Sequence, residues 1–390
     1  MDAPVHLLGL TRDELRERFA PLGLAGYRAD QVRQWVFERR VDDWAAMTNL
    51  SKLDRQRLAE RFTLAAGRVV SHQVSADGVH KLLLGWGTEA APDSGDSSEA
   101  VLIPEERTDR ADPAAEPDTG DADADSKDDT RDGPPVRRRT ACISTQVGCP
   151  VGCRFCASGM GGLKRNLTAG QIVEQVWQLA RTAIPAEERI SNVVIMGIGE
   201  PLANYDAVVR AIRLINAPDG MNIGARKITL STVGLPAQIR QLAMENLQIT
   251  LAISLHAANQ ALRAELIPWA AKFPLADVLD AARDYFETTG REITLEYVLL
   301  EGVNTAVEQA DELADLARSL RCNLNLIRYN PVAEAAFHRT SQATTLRFRD
   351  RLQRRGVNVH IRPSRGLTID AACGQLRRRA IEELPPTQTS

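Results

Sequence analysis

Three cysteines crowd one short stretch, Cys149-Pro150-Val151-Gly152-Cys153-Arg154-Phe155-Cys156. Thiolates at that spacing can wrap one compact soft centre. Gly148 and Gly152 let the backbone turn tightly around it. Two chemistries fit. An iron–sulfur cluster held by three loop thiolates leaves one iron open to a substrate or cofactor. A structural zinc ion would need a fourth ligand, for which Cys142 is the candidate. Zinc sites, however, usually split their ligands into two separated pairs. The remaining cysteines are Cys322 and Cys373. Cys322, at the edge of a predicted strand, reads as a small buried hydrophobe. Cys373 lies among Ala371, Ala372 and Gly374, so its loop can approach another group closely.

Composition narrows the setting. The chain has 390 residues, with 48 basic and 51 acidic side chains and a net charge of −3. That length suggests roughly two or three domains with ample apolar material for a core. No apolar run approaches the ~18 residues of a membrane span. The first residues, Met1-Asp2-Ala3-Pro4, lack the basic start of a secretory signal. A cytoplasmic protein without membrane association is expected. In that setting clustered cysteines bind metal or do redox chemistry more often than they form a disulfide framework. The acidity is local: residues 106–134 hold eleven Asp/Glu and four Lys/Arg. With almost no large apolar side chains, that stretch cannot offset the entropy of ordering and predicts a disordered insertion.

The elements that must position these groups can be read from periodicity. In the first 65 residues Thr11 and Glu14 have capping-box spacing, and Val32, Trp35 and Val36 recur on one helix face. They predict a small helical domain, either a folding appendage or an RNA-docking module. Residues 66–105 read as a short β segment, with a turn at Asp77-Gly78 and a strand at Ala100–Ile103 ended by Pro104. From residue 140 strands and helices alternate. Strands are predicted over 140–146, 192–197, 227–232, 248–255, 292–299 and 323–328. One helix begins at Thr168, with Gln171 completing a capping box, and another near Thr305. Six such units argue for a parallel sheet, since parallel neighbours need crossover helices. The fold class is α/β, as a partial barrel of six β/α units or an open doubly wound sheet. In either, polar residues at the C-terminal ends of strands form the expected ligand site. Gly199, Glu200, Ser231, Ser254, Leu255, His256 and Asn330 occupy such ends. Singly each has a bland alternative: a turn, a helix cap, a satisfied core histidine.

At these residues the chain becomes recognisable. The cysteine loop after a first core strand resembles the radical S-adenosylmethionine (SAM) superfamily. Cys142-Ile143-Ser144-Thr145-Gln146-Val147-Gly148-Cys149 and Arg165-Asn166-Leu167 look like the RlmN/Cfr family of RNA adenosine methyltransferases. So do Met196-Gly197-Ile198-Gly199-Glu200-Pro201-Leu202, Asn204-Tyr205-Asp206, Ser254-Leu255-His256, Tyr329-Asn330-Pro331 and Ala371-Ala372-Cys373-Gly374-Gln375-Leu376. The blocks span nearly the whole chain in the right order, and overall similarity favours the RlmN side of the family.

The resemblance implies a partial (β/α)6 radical SAM barrel over 140–365. An N-terminal helical domain over 1–65, the β segment 66–105 and the insertion 106–139 would precede it. A C-terminal segment, 366–390, would carry the reactive loop. It implies one [4Fe-4S] cluster on Cys149, Cys153 and Cys156, and two SAM molecules per turnover. Gly199, Glu200, Ser231, Ser254, Leu255, His256 and Asn330 would line the SAM pocket. The implied reaction is C2-methylation of an adenosine in the peptidyl-transferase centre of 23S rRNA and, in many members, of the adenosine 3′ of the anticodon in some tRNAs. Cys373 would carry a methyl group into the reaction. Cys142 would release the product, leaving a transient Cys142–Cys373 disulfide. A glutamate before the first cysteine would be the base, which points to Glu99, with Glu105 competing. The acidic insertion separates that glutamate from Cys142 by about thirty residues more than in relatives, a modest cost because loop closure grows slowly with length. The rival within the family is C8-methylation of the same rRNA adenosine. The rivals outside it are a zinc-stabilised RNA-binding protein and a radical enzyme acting on a small molecule. Expected partners are 23S rRNA, tRNA and a reducing electron donor, with the enzyme a monomer. Arg137-Arg138-Arg139, Lys164-Arg165, Arg362, Arg365 and Arg377-Arg378-Arg379 are candidate phosphate contacts.

Overall fold

The computed structural model describes residues 4–87, 96–104 and 138–376. The acidic stretch, Glu105, Arg137 and Arg377-Arg378-Arg379 lie outside the described residues. The N-terminal unit contains β1 (Val5–His6), α1 (Arg12–Phe19), α2 (Tyr27–Arg33), α3 (Lys52–Arg61) and β2 (Phe62–Thr63). The Thr11–Glu14 capping box starts α1 as the sequence predicts. Its core gathers Leu7, Leu8, Leu15, Phe19, Val32, Val36 and Leu58, and parallel pairing of β1 with β2 ties the two ends together.

The sheet begins with β3 (Arg68–Val74), β4 (His80–Gly85), β5 (Ser97–Pro104) and β6 (Arg139–Cys142). Next come β7 (Gln146–Gly148), β8 (Leu163–Asn166) and α4 (Ala169–Thr182). Alternation follows: β9 (Asn192–Ile195), α5 (Tyr205–Asn216), β10 (Ile228–Thr232), α6 (Pro236–Ala243), β11 (Thr250–Ser254) and α7 (Gln260–Leu266). The chain continues through α8 (Leu275–Thr289), β12 (Ile293–Leu299), α9 (Val307–Arg318), β13 (Cys322–Arg328), α10 (Gln342–Arg354) and β14 (Val359–Arg362). The main sheet runs β14-β13-β12-β11-β10-β9-β6-β5-β4-β3. Every neighbouring pair from β6 to β14 is parallel, and the pairs from β6 back to β3 are antiparallel.

This is the α/β class expected from the alternation, in the partial-barrel form that the resemblance implies, with two differences. The parallel part has a seventh strand, β14. Its sequence, Val359-His360-Ile361-Arg362, is short and half polar, as an edge strand can be, and carries no apolar run to signal it. The strand predicted over 140–146 is two strands in different sheets. Between them the backbone leaves the ladder. The Ser144 N–H donates to the Gln175 side chain at 2.8 Å, and the Ser144 hydroxyl donates to the Glu99 carbonyl at 2.7 Å. β7 then pairs with β8 in a separate ribbon. Side-chain acceptors captured a backbone that β propensity alone would have kept extended.

Helix α4 joins the N-terminal unit to the sheet. Thr168 and Gln171 cap it reciprocally. Nearly all its side chains are buried, because one face meets the sheet and the other meets the N-terminal unit. The Trp177 indole N–H donates to the Val36 carbonyl at 2.8 Å. The Glu174 carboxylate accepts the Ala66 and Gly67 N–H groups, each at 3.0 Å. Trp177→Ala should cost about 3–5 kcal/mol of unfolding free energy in urea. Trp177→Phe, which loses chiefly the bond to a buried carbonyl, should cost about 1–2 kcal/mol. Equal losses for both would mean that Trp177 does not fill the joint as described.

Candidate active site

The three clustered cysteines lie in a loop that leaves β7 and returns through β8. Its neck is closed by backbone. The Cys149 N–H donates to the Gly162 carbonyl at 3.2 Å. Gly148 has φ +76, and a Cβ there would stand 2.0 Å from that same carbonyl oxygen, so only glycine fits. The loop is braced from two sides. The Arg154 N–H donates to the Leu266 carbonyl at the end of α7, at 3.0 Å. The Phe155 ring packs edge-on against His256, with centroids 4.9 Å apart.

The thiols are desolvated and near one another. Burial pushes the Cys149 thiol up to about 12, helped by the charges of Cys156 and Glu200. Burial also raises Cys153 well above the ordinary thiol range, with Cys156 and Cys149 adding and Arg263 opposing. Cys156 is raised by burial against hydrogen bonds from Ser158. Three buried thiols that resist ionisation singly fit a soft, multiply charged centre that takes the place of their protons. Among the described residues no three Cys, His, Asp or Glu side chains are gathered for a single metal ion. Cys142 ends β6, outside that loop, and the charge of Cys373 acts on its thiol.

The strand ends expected to bind a cofactor do share one rim. Gly199 has φ +114 and lies against Thr145 and Gln146. The Glu200 carboxylate is committed to protein donors: Thr232 Oγ1 at 2.7 Å, the Val233 N–H at 2.9 Å and the Leu202 N–H at 3.0 Å. Burial raises its carboxyl to about 7 against those bonds. Ser231 and Ser254 meet across β10 and β11, Oγ to Oγ at 3.1 Å. Leu255 is fully buried beside them. His256 takes a left-handed backbone, φ +57, and its Nδ1 accepts the Val298 N–H at 3.0 Å. Burial, with Arg263 nearby, pushes His256 down to about 3, so the imidazole is neutral. The Asn330 side chain donates to the Cys373 carbonyl at 3.0 Å.

That last bond belongs to a strap across the barrel mouth. The Gly366 N–H donates to Asp77 in the β3–β4 turn at 2.8 Å. The Gly374 carbonyl accepts from the Ala157 N–H at 2.8 Å, and the Leu376 carbonyl accepts from the Ser158 hydroxyl at 2.6 Å. The C-terminal segment thus links the far edge of the sheet, the antiparallel hairpin and the cysteine loop. It hangs Cys373 inside the bowl. Cys373 keeps exposed surface, yet burial raises its thiol, with Arg362 opposing and Glu296 and Cys156 adding. The Cys142 thiol is pushed up to about 12 by burial, then by Cys373, again with Arg362 opposing.

Glu99 joins this bowl. It shares a face of β5 with Val101, whose partners across the sheet are Cys142 and Lys81. Its side chain is buried and pairs with Lys81 Nζ at 3.3 Å. Sequence reasoning missed Lys81, Glu296, Met196 and Arg263. Arg362, expected to face phosphate, points into the bowl, with Nη1 3.4 Å from Glu296 and 3.7 Å from the Met196 sulfur. A charged residue in the middle of a core strand was the available signal, but its direction depends on register. Arg139, Lys164 and Arg165 pair with Glu188 and Asp96.

Known proteins are similar to this chain over nearly its whole length. Residues 5–64 match the model of the ribosomal RNA large subunit methyltransferase N-terminal domain, and residues 143–317 match the radical SAM superfamily. The probable dual-specificity RNA methyltransferase RlmN of Geobacillus kaustophilus is 41% identical over 97% of this chain and 93% of its own length. The chain belongs to the RlmN family. RlmN 3 of Opitutus terrae is 42% identical over 97% of this chain and 95% of its own. Among solved structures, a radical SAM methyltransferase from Sphaerobacter thermophilus superposes with a TM-score of 0.84. It is 42% identical and covers 96% of this chain and 100% of its own. RlmN membership makes the chain a radical SAM RNA methyltransferase and implies a [4Fe-4S] cluster and SAM. No helix among the described residues is long and apolar enough to cross a membrane.

The loop neck makes a testable demand. Gly148→Ala should lose most of its iron and sulfide after anaerobic reconstitution, because backbone blocks the new Cβ. Gly152→Ala, where φ is +70 but a Cβ meets nothing within 4 Å, bears only the left-handed strain of about 1–2 kcal/mol and should still load. Equal loading of both variants would refute the closed neck.

Proposed function

We propose that this enzyme methylates C2 of adenosine in the peptidyl-transferase centre of 23S rRNA, and of the adenosine 3′ of the anticodon in some tRNAs, through a protein-bound methyl group on Cys373. What supports the protein-bound route is that Cys142 and Cys373, distant in sequence, lie within electrostatic reach in one bowl beside the cysteine loop; what supports C2 over C8 is the similarity to RlmN relatives over nearly the whole chain.

Cys149, Cys153 and Cys156 would hold the cluster, and the rim from Gly199 to Asn330 would line the SAM pocket. Cluster and SAM together would supply one-electron cleavage of a sulfonium carbon–sulfur bond, and with it the power to take hydrogen from an unactivated methyl group. The chain's own residues do the rest. Adenine C2 is not a nucleophile, so direct attack on a methyl donor fails. Cys373 instead accepts a methyl group on sulfur, losing its thiol proton as the donor's sulfonium bond breaks. After hydrogen removal that carbon bonds to the ring; the ring radical so formed would give one electron back to the cluster, the same count that SAM cleavage draws from it, and Glu99 takes the ring proton. Lys81 Nζ, 3.3 Å from Glu99 Oε1, holds that carboxylate in place. Cys142 then attacks the Cys373 sulfur. A disulfide forms, the sulfur–carbon bond breaks, and its electron pair stays with the carbon, which takes a proton to become the product methyl. Two external electrons restore the thiols. Arg362 lies where it opposes the desolvation of both sulfurs, which favours the thiolates that these steps require. Two SAM molecules are consumed per turnover, one for its methyl group and one for hydrogen removal. Monomeric action in the cytoplasm, where these RNAs and reductants reside, completes the reading.

Nucleoside mass spectrometry of RNA treated with reconstituted enzyme tests it. 2-Methyladenosine is expected, and 8-methyladenosine as the only product would overturn the choice of carbon. Cys142→Ala should accumulate a covalent protein–RNA adduct on denaturing gels. Release of methylated RNA at the normal rate would remove Cys142 from the mechanism. Cys373→Ala should abolish methyl transfer while SAM cleavage continues.

A further inference from the structure

Arg263 lies on α7 and is fully enclosed, with 0% of its surface exposed. One terminal nitrogen donates to the Val233 carbonyl. Nε and Nη1 are buried and have no hydrogen-bond partner. Among the described residues no carboxylate pairs with it. A buried guanidinium in that state is costly unless an anion compensates it. A guanidinium stays charged at neutral pH even when buried, and the ionisable group of the loop that acts on it is Cys153. The neighbouring His256 is neutral. The helix that carries Arg263 is hydrogen-bonded to the cysteine loop through Leu266 and Arg154. Two unmet donors and one positive charge without a carboxylate partner are therefore carried by the helix that braces the loop. An oxidised [4Fe-4S] centre on three thiolates carries one net negative charge, and an added electron makes it two. Net charge and hydrogen bonds to sulfur set the potential of such centres.

We propose that Arg263 is the fixed counter-charge of the iron–sulfur centre, a positioning residue whose buried guanidinium favours the one-electron-reduced state. The inference rests on the assignment of the cluster to Cys149, Cys153 and Cys156. The electron comes from an external low-potential one-electron donor, and Arg263 itself is chemically unchanged. Nothing about Arg263 signals this in the sequence. The charge reaches the loop only because α7 packs behind it.

The test is an EPR-monitored potentiometric titration of the anaerobically reconstituted full chain, alongside Arg263→Met and Arg263→Lys and with iron and sulfide counted for each. Arg263→Met should load normally, and its ratio of reduced to oxidised centre at a fixed potential should fall about tenfold, equivalent to about 59 mV for one electron. Arg263→Lys should stay close to the parent. If Arg263→Met fails to load while Arg263→Lys loads with the parent's potential, the charge requirement stands. An unchanged potential in a loaded Arg263→Met overturns the proposal. So do equal shifts in both variants, or failure of both to load, which would assign Arg263 to its bond with Val233. A parent chain that takes up no iron and sulfide would instead overturn the cluster assignment, a result distinguishable from all of these.

Discussion

A parallel sheet delivers every strand's C-terminal end to the same edge. In this protein seven parallel strands, from β6 to β14, obey that constraint, and the candidate chemistry is gathered by it. Gly199, Ser231, the Ser254–His256 stretch and Asn330 come from separate parts of the sequence, yet each lies at or just past the C-terminal end of a strand and so meets the others on one rim. The cysteine loop leaves the same side on its own ribbon. The antiparallel strands β3 to β5 extend the sheet beyond β6 and bring in Glu99 and Lys81 from before the acidic stretch. The strap carrying Cys373 then runs from the β14 end back to that hairpin, so that the first and last parts of the domain hold the reactive loop between them.

The bowl so formed is unusually rich in buried charge. Glu99 with Lys81, Glu296 with Arg362, and Glu200 with its three donors all sit where apolar side chains would stabilise the fold more. Such groups make sense where a reacting base, a sulfur and a sulfonium must be held in low dielectric and fixed orientation. The same desolvation keeps every thiol protonated until a counter-charge or a soft centre favours its ionised form. Stability comes from elsewhere: the apolar layers between sheet and helices, and α4 enclosed between sheet and N-terminal unit.

Much of this was legible in the chain. The capping boxes at Thr11 and Thr168, the turn at Asp77-Gly78 and five of the six predicted core strands follow from local propensity and periodicity, and they reappear nearly unshifted. The exceptions have physical causes. β14 lacked an apolar run, and the strand expected at 140–146 was broken at Ser144, which bonds Gln175 from helix α4 and the Glu99 carbonyl from β5, partners that periodicity cannot place. Arg362 looked like a surface charge because its register was hidden.

The sequence by itself determined the inventory: three thiols in one loop, two more cysteines, polar strand ends, and an alternation compatible only with a parallel α/β sheet. Spacing suffices for these because they depend on neighbours within a few residues. Tertiary structure alone decided which groups act on one another. Cys142 and Cys373 came within electrostatic reach, Arg263 and Arg362 were turned inward, and Glu200 was spent largely on the end of β10. Such pairings depend on strand register and helix packing, where a shift of one residue reverses which face a side chain occupies.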